Sequence, residues 1–168
     1  MRFLATAASI GLWASLAQAW SCLSDADAKS IADRSTIFLQ HLNVTEANIT
    51  AQGLFANNIT EYGDSINSLR GDALGTIVEN GKQHYINDTL STPPIPQINT
   101  LAIVHGCNQM VWQWEFLGIG TGANRVRGMT LITVDGMSQV MMQYVEFNSL
   151  AWGADIGFNI TPPAGGIP

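Results

Sequence analysis

Basic residues are scarce in this chain: seven Lys and Arg stand against thirteen Asp and Glu in 168 residues, a formal net charge of −6. So acidic a surface repels nucleic acid and anionic membranes, and neither is expected as a partner. Cysteine is nearly absent, with only Cys22 and Cys107. Two such distant cysteines make neither a metal centre nor a disulfide-dense scaffold. After residue 19 no stretch approaches the roughly 18 uninterrupted apolar residues of a membrane span. The sequence also lacks His-Glu-x-x-His, a Gly-Lys-Thr loop and Gly-x-Ser-x-Gly, so no metal, nucleotide or nucleophile motif is present and no cofactor is expected. Gly118-Ile-Gly-Thr-Gly-Ala-Asn is glycine-rich, but it separates two strand-like runs instead of opening a helix, which argues against a phosphate cradle. What the chain does have is 46% hydrophobic residues and five tryptophans, enough for a packed core and incompatible with disorder.

Met1-Arg2, the apolar run Phe3 to Leu16 and the small-residue site Ala17-Gln18-Ala19 read as a secretory signal peptide cleaved after Ala19. The expected organisation is therefore a signal at 1–19, one domain at 20–160, and a loose tail at 161–168 holding three prolines and two glycines. Export would explain five glycosylation sequons, at Asn43, Asn48, Asn58, Asn87 and Asn159, all of which use Thr. In that oxidising compartment Cys22 and Cys107 are expected to pair, joining the start of the first helix to a strand. A secreted glycoprotein with one disulfide follows.

Ser24 and Asp27 form a capping box, and Ala28, Ile31, Ile37, Phe38 and Leu42 give an apolar stripe, predicting a helix over 24–42. Residues 51–57 are expected as a short helix, 59–66 as a strand or turn, and 71–85 as a second long helix. Pro93, Pro94 and Pro96 mark an extended connection. Beyond them, 98–105, 109–118, 125–134 and 139–150 are strand-like, with a hairpin signal at Asp135-Gly136. Helices followed by a run of antiparallel strands predict an α+β domain, with N-terminal helices packed on one face of a curved sheet.

That order, together with three segments, resembles the nuclear transport factor 2-like superfamily, with its SnoaL-like polyketide-cyclase and scytalone-dehydratase relatives. The segments are Gly53-Leu-Phe-Ala-Asn-Asn-Ile-Thr, Gln109-Met-Val-Trp-Gln-Trp-Glu-Phe, and Arg127-Gly-Met-Thr-Leu-Ile-Thr-Val-Asp-Gly-Met-Ser-Gln-Val running on to Tyr144, Glu146 and Asn148. The resemblance implies a sheet curled into a cone around a pocket, with the inward residues of the late strands deciding function. Relatives often carry an Arg, an aromatic and an acid where this chain has Tyr144, Glu146 and Asn148. The terminal acid is therefore missing, and an Asp common before the first strand is replaced by Asn57 or Asn58.

Strand alternation puts Met142, Tyr144, Glu146 and Asn148 on one face, expected to line the pocket. Met141, Gln143, Val145 and Phe147 take the other, an apolar face through which a homodimer could form. Trp112, Trp114 and Phe116 share a face and make an aromatic wall suited to a ring-shaped ligand. Glu146 is the candidate general base, with Tyr144 and His84 as further proton-transfer groups. The ligand-binding set is Trp112, Trp114, Phe116, Met142 and Asn148. His41 and His105 read as structural. Two functions fit: a secreted protein that binds a small hydrophobic or aromatic molecule unchanged, or a cofactor-free lyase, isomerase or cyclase acting on an aromatic or terpenoid metabolite.

Overall fold

A computed structural model describes residues 22–161, so the expected signal segment and all but Thr161 of the expected tail lie outside the described residues. The elements run α1 (Asp25–Gln40), α2 (Val44–Leu54), β1 (Phe55–Tyr62), α3 (Asp64–Arg70), β2 (Ile77–Asn80), α4 (Lys82–Ser91), β3 (Gln97–His105), β4 (Gln109–Leu117), β5 (Val126–Val134), β6 (Val140–Phe147) and α5 (Ser149–Asp155). The six strands form one sheet in the order β2-β1-β6-β5-β4-β3. All neighbours are antiparallel except β1 and β6. This is the α+β architecture expected, with an open sheet.

Helix α1 starts where the capping box places it. The Asp27 amide donates to Ser24 Oγ at 3.2 Å, and the Ser24 amide donates to Asp27 Oδ2 at 3.0 Å. Its stripe of Ala28, Ile31, Ala32 and Phe38 is fully buried in a core shared with the β4 aromatics.

The sequence expectation fails at 71–85. Gly71, Gly75 and Gly81 all adopt positive φ, at 77°, 77° and 91°. Each breaks a right-handed helix, so this segment becomes a turn, the short strand β2 and only the first turn of α4. The apolar spacing of Leu74, Ile77 and Val78 was coincidence, since Leu74 and Ile77 are exposed. Two other boundaries move as well. The helix expected at 51–57 begins earlier, at Val44, capped by Asn43 Oδ1 accepting from the Glu46 amide at 3.2 Å. The last strand stops at Phe147, where Asn148 Oδ1 accepts from the Ala151 amide at 3.1 Å and opens α5.

Cys22 and Cys107 are bonded across a sequence separation of 85 residues. Cys107 sits in the turn between β3 and β4, not in mid-strand, and the Cα atoms are 3.7 Å apart, nearer than the roughly 4.4–6.8 Å usual for disulfides. Next to the bond, the Leu23 amide donates to the Cys107 carbonyl at 2.9 Å. Beside it, His105 Nε2 meets Asp25 Oδ1 at 2.8 Å. The bond thus fastens the N-terminus of α1 to the far edge of the sheet. Replacing Cys22 by Ser should lower stability by about 2–5 kcal/mol in denaturant titration, and the unreduced native protein should take up no alkylating reagent.

Candidate functional site

The concave face of the sheet does not close against the helices. It leaves a cavity of about 500 Å³. Trp112, Trp114 and Phe116 of β4 form one wall, as expected from the sequence. Trp114 and Phe116 stack with ring centroids 3.7 Å apart, and Trp152 of α5 meets Phe116 edge-on at 6.1 Å. The indole N–H groups point elsewhere: Trp112 Nε1 donates to Thr100 Oγ1 and Trp114 Nε1 to Thr130 Oγ1, each at 3.0 Å. The aromatic wall therefore offers the cavity carbon surface and ring faces, not donors.

One polar cluster interrupts this surface. Glu61, from β1, is 6% exposed and lies opposite Gln143 of β6 and Glu79 of β2 in the strand registers. Gln143 Nε2 donates both to Glu61 Oε1 at 2.6 Å and to the Tyr85 hydroxyl at 2.7 Å, tying β6, β1 and α4 together. Burial, helped by the negative charge of Glu79, pushes the Glu61 carboxyl up to about 7, against the opposing pull of Gln143, Arg70 and Tyr85. Burial likewise raises Tyr85 well above its ordinary value, keeping the phenol protonated. Glu79 is handled differently, with Oε1 accepting from Arg70 Nη2 at 2.8 Å and Oε2 facing His84 Nδ1 at 2.6 Å. The site thus pairs a proton-exchanging acid with a neutral phenol at the end of an apolar cavity.

The NTF2-like domain family matches residues 21–159. The chain belongs to the NTF2-like family. No curated protein matches the sequence. A putative SnoaL-like polyketide cyclase from Jannaschia sp. is similar in fold, with a TM-score of 0.58, 12% identity, and coverage of 82% of this chain and 99% of the other. A putative isomerase of the SnoaL-like family from Agrobacterium tumefaciens gives 0.56 at 9% identity, covering 73% and 98%. A de novo designed protein with a curved sheet gives 0.55 at 5% identity, covering 75% and 88%. A designed protein scoring alongside named enzymes shows that these likenesses speak to fold alone.

Within this NTF2-like cone several residues sit elsewhere than the sequence suggested. The β5–β6 register opposes Thr130 to Val145, Gly128 to Phe147 and Ile132 to Gln143, while β4–β5 opposes Trp112 to Thr130 and Trp114 to Gly128. Gln143, Val145 and Phe147 therefore share the face of the tryptophans and line the cavity. The face assigned to dimerisation is the inner one. Met142, Tyr144 and Glu146 fall on the outer face, away from the cavity. Tyr144 stacks on Tyr62 at 4.8 Å. Met142 is half-buried opposite Thr60 and Thr133. Asn148 caps α5.

Glu146 has a structural task. Its carboxylate accepts from the Asp64 amide at 2.8 Å, the Ser65 amide at 3.2 Å and the Ser65 hydroxyl, capping α3. Gly63 at the N-cap position supplies no side chain, and a Cβ there would meet the Val145 carbonyl at 2.6 Å. His84 is exposed on α4, outside the cavity lining, although its partner Glu79 contributes to that lining. Among the described residues Glu79, His84 and Asp88 form the one cluster with metal-ligand geometry, within 4.8 Å, yet both Glu79 oxygens already face Arg70 and His84. Sequence reasoning misses Glu61 and Tyr85 and assigns Gln143 to the dimer face, whereas it lines the cavity. The available signal was Glu61 itself, a charge at the same strand parity as buried Phe55 and Ile59.

Because Glu61 holds its proton in the fold up to about pH 7 and in the unfolded chain only to its ordinary value of 4.5, the native state binds more protons between them. Stability should fall as pH rises through that window, by roughly 3 kcal/mol. Glu61→Gln should remove this slope. Chemical denaturation of both proteins between pH 4.5 and pH 8 tests it, and parallel curves would show that Glu61 titrates normally.

Proposed function

We propose that the protein is a secreted, cofactor-free enzyme of the isomerase or lyase class, which binds a small, largely apolar ring compound and moves a proton with Glu61. The observation that carries this reading is the juxtaposition of a cavity of about 500 Å³ with a buried carboxyl poised at about 7. As carboxylate, Glu61 takes a proton from a carbon of the substrate. The released electron pair forms a new double bond while Tyr85 donates a hydrogen bond to the oxygen on which charge gathers. Returning the proton to another carbon completes an isomerisation; expelling a protonated hydroxyl completes a dehydration. The aromatic wall holds the ring and excludes water. Binding without conversion is the second reading, favoured by Gln143, whose two short hydrogen bonds tie Glu61 and Tyr85 to each other.

Secretion is supported by the N-terminal signal pattern and by the Cys22–Cys107 bond, which suits an oxidising compartment. All five sequon asparagines are exposed, as glycan attachment requires. In Asn43 the helix cap uses only Oδ1, leaving Nδ2 for a glycan. A homodimer, if formed through the sheet, would use the outer face, where Met129, Leu131 and Tyr144 are exposed.

Native mass spectrometry of protein purified from its secreting host should reveal a co-purifying small molecule. On any substrate so found, Glu61→Gln should lower kcat by about 10²–10⁴-fold, and kcat/KM should rise with pH through an apparent value near 7. Glu146→Gln should leave kcat within about twofold while costing about 1 kcal/mol through the lost α3 cap. Equal activity of wild type and Glu61→Gln would leave the binding-only reading.

A further inference from the structure

We infer that the ligand of this cavity carries a positive charge: an ammonium or other organic cation attached to an apolar or aromatic body. This rests on the reading of the cavity as a small-molecule site and narrows it to one chemical class. The argument begins with what the walls present. The indole N–H groups of Trp112 and Trp114 are both consumed by threonine hydroxyls, so the rings turn only their surfaces to the ligand. Phe116, Phe147 and Trp152 extend the same wall, with Phe147 and Trp152 centroids 4.9 Å apart. Ring faces carry negative potential and attract alkylammonium groups, and although Trp114 and Phe116 spend one face each on their mutual stack, Trp112, Phe147 and Trp152 also line the cavity.

The charged groups lining the cavity push in the same direction. Three carboxylic acids, Glu61, Glu79 and Asp88, line it against one basic residue, Arg70. Arg70 already donates to Glu79 Oε1 at 2.8 Å and to the Val78 carbonyl at 3.4 Å. Glu61 has no ion-pair partner among the described residues. A carboxyl more than nine-tenths buried and facing a cavity without a cation of its own is costly to ionise. A cationic ligand supplies the missing partner. An anionic ligand would meet three acids, and one arginine that is already paired with Glu79.

The groups facing Glu61 are Gln143 from β6, Glu79 from β2, Arg70 from α3 and Tyr85 from α4. Glu79 and Arg70 neutralise each other, so Glu61 is the group whose ionisation decides the charge beside the ligand. A bound cation favours the ionised form, and by linkage its affinity rises with pH through the range where Glu61 loses its proton.

The test uses two probes of the same shape, phenyltrimethylammonium and its uncharged isostere tert-butylbenzene, titrated into the whole protein by tryptophan fluorescence and calorimetry. At pH 8 the cation should bind at least about tenfold more tightly than the isostere. That advantage should shrink below pH 6 and be lost in Glu61→Gln, while the affinity of the isostere stays flat. Should that variant fail to fold, the pH series on the wild type decides the matter, and a cation advantage that does not grow from pH 6 to pH 8 overturns the inference. Equal or weaker binding of the cation at every pH overturns this inference and leaves the cavity reading standing. Binding of neither probe at millimolar concentration overturns both.

Discussion

Everything about this site follows from the pairing register of β4, β5 and β6. Side chains alternate across a strand with a period of two, so a one-residue slip would exchange the lining of the cavity for the outer surface. The register is enforced at Gly128. A Cβ there would come within 2.5 Å of the Trp114 ring and 2.6 Å of both the Glu146 carbonyl and Phe147 Cβ. Only glycine lets Trp114 lie over β5 at that position. With Trp114 fixed, Thr130 comes under its indole N–H, and Val145 and Phe147 must face inward beside it.

The acids of this chain divide into those that hold the fold and one that weakens it. Glu146 caps a helix whose own N-cap residue, Gly63, has no side chain to do so. Asp155, buried at the end of α5, accepts from Thr121 Oγ1 and Asn124 Nδ2, both at 2.9 Å, and pins the glycine-rich 118–124 loop over one end of the cavity. Glu79 sits between Arg70 and His84. All three are satisfied by donors or charges. Glu61 is the exception, since its amide partner Gln143 only partly offsets the loss of water. Sites that trade stability for reactivity have this form, which makes Glu61, rather than the better-partnered acids, the centre of the site.

The cavity is open for a reason of shape. Rings stacked along β4 are stiff, and the helices that cover the sheet reach it from the disulfide-tethered start of α1 and from the Pro93–Ile95 connection. Helix α1 buries Phe38 against Phe55 and Tyr85 in edge-on contacts of 5.2 and 5.4 Å, which closes one end only. The cavity remains between that cluster and Trp152, both of which line it.

Local chemistry made much of the fold legible. The Ser24–Asp27 capping box, the strand-like runs from Ile98 onward, the Asp135-Gly136 turn and the Trp112, Trp114, Phe116 face each depend on neighbours in sequence, and each is found, with the last strand ending early at Phe147. The helix expected at 71–85 was misread because apolar spacing does not report φ, and three glycines there take the left-handed region. The site was the larger miss. Alternation separated Gln143 from Glu146 correctly, but only the long-range register could say which of the two faces the tryptophans. Glu61, Glu79, Tyr85 and Gln143 lie on four elements, and what brings them together is the pairing of β1 with both β2 and β6, with α4 packed against them. The sequence by itself determined the parts and their order. Which buried acid lacks the donors to offset its desolvation, and hence which could do chemistry, is decided only once the strands have closed around it.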